Sequence, residues 1–265
     1  MNSAKFSLST KALLLKNALL IYSILSLTTQ TYANSLKETF SEVFNIGVAV
    51  KIQTHLSPSN TTSQSLIKKQ FNSLVAENEM KWQSLNPKPG AYHFDKVDTL
   101  VEFADKNQMQ LVGHVIFWHN QTPAWLFKNA QGEPISKNEL LKRMRLHIRT
   151  LNKRYGNKIH VWDVVNEALE HDGSIRKSPW SEILGDDWVV QAFQIAQEEL
   201  PASTQLLYND YQLYRKEKLQ GLISLIKSLQ DKNIRIDGVG VQGHWHLKYP
   251  SLNQIDHLFK TIRKT

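Results

Sequence analysis

The chain has 265 residues, a formal charge of +8 and no cysteine. Without cysteine there is no disulfide framework, no thiolate metal site and no cysteine nucleophile. Lys and Arg are dispersed along helical segments, as at Lys142, Arg143 and Arg145, so a solvated helix face explains them and no nucleic-acid partner is expected.

The first segment reads as a secretory signal. Lys5, Lys11 and Lys16 precede an apolar run over residues 18–27, and Thr31-Tyr32-Ala33 offers a small-residue cleavage site. That run is short of the roughly 20 residues that span a bilayer, so export with cleavage after Ala33 is expected, with no membrane association afterwards. The destination is the periplasm or the exterior. Loss of the three lysines leaves a charge of about +5 by the same counting.

Residues 34–265 then form one domain in which short apolar runs alternate with amphipathic segments. A first strand is expected over 44–50, a helix around 63–71, and a second strand over 73–76 that ends in Glu77-Asn78-Glu79. Val97, Leu100, Val101 and Ala104 share one helix face, and a third strand is expected over 110–117. Ser136-Lys137-Asn138-Glu139 has the form of a capping box and opens a helix that Gly156 ends. The fourth strand, 160–165, carries Val161, Val164 and Val165 and delivers Asn166-Glu167 at its end. A helix near 188–199, a strand over 205–208, a helix marked by Leu219, Leu222, Ile223, Ile226 and Leu229, and a strand over 236–241 follow. Ser251-Leu252-Asn253-Gln254 caps a last helix.

Strand–helix alternation implies an α/β fold with a parallel sheet. No glycine-rich loop follows the first strand, so the dinucleotide-binding form lacks its fingerprint. Polar residues recur at the C-terminal ends of the strands, where TIM barrels keep their chemistry, so a (β/α)8 barrel is expected, represented here by six β/α units.

The strand ends deliver Glu77, Asn78 and Lys81; His114, Trp118, His119 and Gln121; Asn166 and Glu167; Asn209, Asp210 and Tyr211; Gln242, His244 and Trp245. Amides, imidazoles and ammonium groups suit a ligand with many hydroxyls, and indole faces suit the C–H faces of sugar rings. A carbohydrate is the natural ligand, with one carboxyl acting as acid. Each residue also has a structural reading. Asn166 could cap a helix favoured by Glu167 and Glu170, Asp210 could be a turn residue, and Trp118 and Trp125 could pack under a loop. A rival chemistry places a metal between His244, His246 and either His114 or His119.

Five segments together resemble glycoside hydrolase family 10, chiefly endo-1,4-β-xylanases. They are Ala76-Glu77-Asn78-Glu79-Met80-Lys81-Trp82; Gly113-His114 with Trp118-His119-Asn120-Gln121-Thr122-Pro123; Trp162-Asp163-Val164-Val165-Asn166-Glu167-Ala168; Tyr208-Asn209-Asp210-Tyr211; and Gly240-Val241-Gln242-Gly243-His244. The similarity runs from about Phe44 to the C-terminus; Gly243 stands where serine is common. The resemblance implies Glu167 as general acid/base and Asn166 as the amide that binds the sugar 2-hydroxyl. It implies Glu77, Asn78 and Lys81 as holders of the adjacent non-reducing sugar, and His114 and Trp118 as walls of the reacting sugar's site. Asn209 and Tyr211 match through their motif, and Gln242 and His244 resemble the pair that contacts the sugar and orients the nucleophile. The substrate implied is xylan or xylo-oligosaccharide, with no metal, no cofactor and a monomeric chain.

The family's nucleophile lies in a Thr/Ser-Glu-x-Asp segment at the end of strand seven, and that segment has no counterpart after Gln242. The chain is therefore read as a barrel truncated before strand seven, impaired or inactive in hydrolysis and poorly stable because two strand edges stay unpaired. The alternatives are a non-catalytic saccharide-binding remnant and a non-functional fragment. Glu77 and Asp210 are conceivable stand-in nucleophiles, a role the resemblance assigns to neither.

Overall fold

The computed structural model describes residues 34–265. The expected signal and its cleavage site at Ala33 lie outside the described residues. In chain order the elements are α1 (Leu36–Thr39), β1 (Gly47–Val50), α2 (Ile52–His55), α3 (Thr61–Gln70), β2 (Ser73–Ala76), α4 (Trp82–Leu85) and α5 (Asp95–Lys106). There follow β3 (Gln110–Gly113), β4 (Phe117–Trp118), α6 (Lys137–Tyr155), β5 (Val161–Asn166), α7 (Pro179–Leu184) and α8 (Trp188–Glu199). The last are β6 (Gln205–Asp210), α9 (Lys216–Asp231), β7 (Gly238–Val241) and α10 (Leu252–Ile262).

All pairings are parallel, in the order β1-β2-β3-β5-β6-β7, with β4 beside β5 beyond the end of β3. The expected third strand is thus two short strands, since His114-Val115-Ile116 leaves the ladder between them. Among the described residues β1 and β7 each have one neighbour, so the sheet is an open half-barrel.

Each helix is built from a pattern that its packing explains. On α6, Leu140, Met144, His147, Ile148, Leu151 and Tyr155 are buried at helical spacing, and Ser136 accepts the N–H of Glu139. The reciprocal half of the box is replaced, because the Glu139 carboxylate turns to Arg143 Nε at 3.1 Å. Helix α8 buries a wide apolar face against α6, β5 and β6, and leaves Gln194, Gln197 and Glu198 exposed on the other. The capping box at Ser251 and Gln254 is complete.

The core gathers large rings between helices and sheet. Trp180 stacks on Trp188 at 5.6 Å between centroids, and Trp82 stacks on His147 at 3.8 Å. Backbones also come close where glycine permits it. A Cβ on Gly113 would lie 2.2 Å from Trp162, and one on Gly240 would lie 2.4 Å from Asn209 Oδ1. Strand β5 runs through the centre with all six residues buried. A register shift between Asp163 and Val165 in its pairing with β6 sets Asn166 opposite Asn209.

Candidate active site

The C-terminal end of β5 organises the site. Asn166, 1% exposed, does not cap a helix; it is the last residue of the strand, and residues 167–176 form a loop closed by a Leu169–Ile175 bridge. The alternative reading of Asn166-Glu167 as a helix start is therefore corrected. Strand pairing satisfies the backbone there, and Glu167 N–H donates to Asn209 O at 2.8 Å.

Glu167 adopts φ 58°. Such a left-handed conformation costs a non-glycine residue about 1–3 kcal/mol and persists only where neighbours hold it. Its carboxylate is caught between two donors, Trp118 Nε1 to Oε2 at 3.0 Å and Gln242 Nε2 to Oε1 at 2.9 Å. The same Gln242 amide donates to Asn166 Oδ1 at 3.1 Å, so residues from β4, β5 and the end of β7 converge on one carboxylate. Among the described residues no other carboxylate hydrogen-bonds to Trp118, Asn166 or Gln242.

A second cluster joins β2 to the loop after β4. Lys81 Nζ donates to Asn78 Oδ1 at 2.9 Å and to Gln121 Oε1 at 2.8 Å, and it lies 5.1 Å from the Trp118 ring centroid. Burial holds the Lys81 ammonium below its ordinary pKa, with Glu77 the first of the carboxylates that oppose this. Glu77 is exposed and 3.7 Å from Lys51. A third cluster binds the strand interior: His114 Nδ1 meets Asp163 Oδ2 at 2.8 Å, and Asn209 Nδ2 donates to the same oxygen at 3.4 Å. A hollow of about 430 Å³ opens beside it, with Glu77, His114, Asp163 and Asn209 in its lining. A cavity of about 940 Å³ lies elsewhere, between the 167–176 loop and α9, and holds none of these groups.

Asp210 is not a turn residue and not a nucleophile facing substrate. It ends β6, fully buried, with Lys218 Nζ at 2.8 Å and Tyr211 N at 2.7 Å on Oδ1, and the Tyr208 hydroxyl at 2.5 Å on Oδ2. Burial pushes the Asp210 carboxyl up and the Lys218 ammonium down, and their mutual contact opposes both shifts. Tyr211 lies over that ammonium, 3.8 Å from ring centroid to Nζ. The His119 pKa is lowered, first by burial and then by Arg176.

Of the residues the sequence singled out, the structure joins Trp118, Asn166, Glu167 and Gln242 around one carboxylate and Asn78, Lys81 and Gln121 beside it. His244 is exposed and makes no side-chain hydrogen bond among the described residues. Trp125 does pack under a loop, its Nε1 on Asn86 O at 3.3 Å, whereas the Trp118 indole donates to Glu167. Among the described residues no three His, Asp or Glu side chains gather as a metal site, so His244, His246, His114 and His119 do not form the ligand set considered from sequence. The motifs assign no site role to Asp163 or Arg176. A charged residue in the middle of an apolar strand was the available signal for Asp163; Arg176, in a loop, offered none.

A parallel half-barrel with a hydrogen-bonded carboxylate at the C-terminal end of a central strand places that group on the face where barrel enzymes keep their chemistry. The family model for glycosyl hydrolase family 10 matches residues 35–265, and the chain belongs to that family. It is 40% identical over 228 residues to a β-1,4-xylanase of Dictyoglomus thermophilum, covering 85% of this chain and 61% of that protein. To an endo-1,4-β-xylanase of Geobacillus stearothermophilus it is 42% identical, covering 83% and 66%. The chain thus spans under two thirds of the length of these curated relatives. Among solved structures, an endoxylanase from a sugarcane soil metagenome superposes with a TM-score of 0.84 at 38% identity, covering 87% of this chain and 68% of that one. Xylanase XynB of Paenibacillus barcinonensis, in complex with a conduramine derivative, gives 0.82 at 36% identity, covering 89% and 70%.

Proposed function

We propose that this chain carries the acid/base half of a retaining endo-1,4-β-xylanase site, exported by its first 33 residues and acting on internal bonds of xylan. The observation that supports this best is the Glu167 carboxylate, set at a strand end between Trp118 and Gln242. In the retaining reaction Glu167 protonates the glycosidic oxygen as the C1–O bond breaks. A second carboxylate about 5–5.5 Å away attacks C1 and forms a glycosyl-enzyme, which water then hydrolyses with Glu167 as base. Asn78, Lys81 and Gln121 supply donors and acceptors for sugar hydroxyls, and the Trp118 ring supplies an apolar face.

The described residues place one carboxylate in this cluster, so the 265-residue polypeptide by itself is proposed to bind xylo-oligosaccharide with negligible turnover. No metal or cofactor takes part in the proposed chemistry, and the polypeptide acts as a monomer. The test is calorimetric binding of xylotriose together with reducing-sugar release from xylan, each with the unsubstituted chain and Glu167→Gln. Binding with no release supports the reading. Release that survives Glu167→Gln, or that a chelator abolishes, overturns it. Absence of binding removes saccharide recognition altogether.

A further inference from the structure

The left-handed backbone of Glu167 needs a holder, and the structure contains one that no motif marks. Arg176 reaches back across the loop with its Nε 2.9 Å from Glu167 O. Its Nη2 donates to Leu169 O at 3.2 Å and to the Tyr211 hydroxyl at 3.0 Å, while Nη1 lies 3.2 Å from Glu170 Oε1. The side chain is 16% exposed, and its backbone N–H donates to Ala168 O at 2.8 Å. One guanidinium therefore closes the loop from inside and caps the carbonyl of the residue whose φ is 58°.

We propose that Arg176 is a positioning residue. Its planar fork holds the Glu167 backbone in the conformation that points the carboxylate at Trp118 and Gln242, and links that backbone to Tyr211. The inference rests on the acid/base reading of Glu167 for its catalytic meaning, but its geometry is tested independently of turnover.

Each contact has a distinct consequence. Without the guanidinium, Glu167 O loses its donor, and the backbone is released toward the right-handed or extended regions that a side chain prefers. Rotation of φ swings the Cα–Cβ direction, so the carboxylate no longer meets the Trp118 indole at the end of β4 and the Gln242 amide just beyond β7. Lysine retains the charge but lacks a planar fork that serves the Glu167 carbonyl, the Leu169 carbonyl and the Tyr211 hydroxyl at once. Tyr211 also rests on Lys218, so the link joins the loop to the buried pair beneath it.

The experiment follows the Trp118 indole N–H by NMR in the full chain, using ¹⁵N-labelled tryptophan. Glu167→Ala defines the signal position without its acceptor. In Arg176→Met the Trp118 signal is expected to move most of the way to that position, while the Trp125 and Trp188 signals stay in place. A Trp118 signal unmoved in Arg176→Met overturns the proposal. Movement of Trp125 and Trp188 along with it also overturns it, since that marks a general packing role. Should Arg176→Met lose its dispersed spectrum, Arg176→Lys decides by the same two criteria. Xylotriose added to the unsubstituted chain separates the two levels: no binding removes the saccharide reading, while the Trp118 result still judges Arg176.

Discussion

Trp118 and Glu167 stand 49 residues apart in the chain, and the indole Nε1 donates to the Glu167 carboxylate at 3.0 Å. The donor comes from β4, the short strand that pairs with β5 after β3 has ended. Hydrogen bonds to charged groups contribute about 1.5–3 kcal/mol, so one donor has measurable weight in aiming this carboxylate. Trp118→Phe keeps an aromatic face and deletes the donor. Xylotriose affinity is expected to fall about tenfold, near 1.4 kcal/mol. Calorimetry checks this, and an unchanged Kd would show that the bond does not organise the saccharide site.

Gly113 and Gly240 test two different close approaches. A methyl group on Gly113 meets the ring of Trp162, which is 2% exposed and has no room to retreat. Overpacking of this kind costs about 1–3 kcal/mol, so Gly113→Ala should lower the urea midpoint clearly. A methyl on Gly240 meets the Asn209 side chain, whose backbone carbonyl accepts the Glu167 N–H. Gly240→Ala should therefore weaken xylotriose binding as well as stability. Equal, small effects of both substitutions would contradict the assignment.

Lys218 and Asp210 are both fully buried and 2.8 Å apart. Removal of one partner strands the other charge, at a cost of about 3–5 kcal/mol. Lys218→Met is expected to be strongly destabilising, and the double variant Lys218→Met/Asp210→Asn to recover part of the loss, because an amide is cheaper to bury than a carboxylate. Thermal unfolding of the two variants decides; identical losses would mean that the ion pair is not the source.

His147 gives the fold a pH dependence. It is fully buried between Trp82 and Tyr92, with Nδ1 2.9 Å from the Tyr92 hydroxyl and Nε2 unpartnered among the described residues, and burial pushes its pKa down to about 3. Between that value and the ordinary 6.5 the unfolded chain binds a proton that the folded chain refuses. Stability from this group is thus present above pH 6.5 and lost as pH falls toward 3, at about 1.4 kcal/mol per unit. Chemical denaturation at pH 7, 5 and 4 should show the fall, and His147→Gln should flatten it. An unchanged slope in the variant would assign the dependence to other groups.

Local structure was largely legible in the residues. Strand β2 and helix α8 stand at their expected bounds, because unbroken apolar runs and helical spacing are properties of short windows of chain. Strand β1 begins at Gly47 rather than at Phe44, and the expected third strand divides, because pairing with a neighbour ends a strand and pattern alone does not carry that neighbour. Glu139 fits a capping box by spacing, yet Arg143 takes its carboxylate instead. The strand ends predict the rim, but not which of its members meet.

The sequence by itself determined the alternation of strands and helices, the residue types delivered at each strand end, and five motifs in order. Those are consequences of backbone period and side-chain chemistry, both written locally. The tertiary structure alone decided that Gln242 closes on Glu167 from 75 residues away, that Asp210 turns inward to Lys218, and that His244 stays outside the cluster. It also decided that Arg176, a loop residue, grips the carbonyl behind the carboxylate. Such partners are chosen by how parallel strands stagger and by which loop folds back onto which strand. These distances exist only once the sheet is assembled.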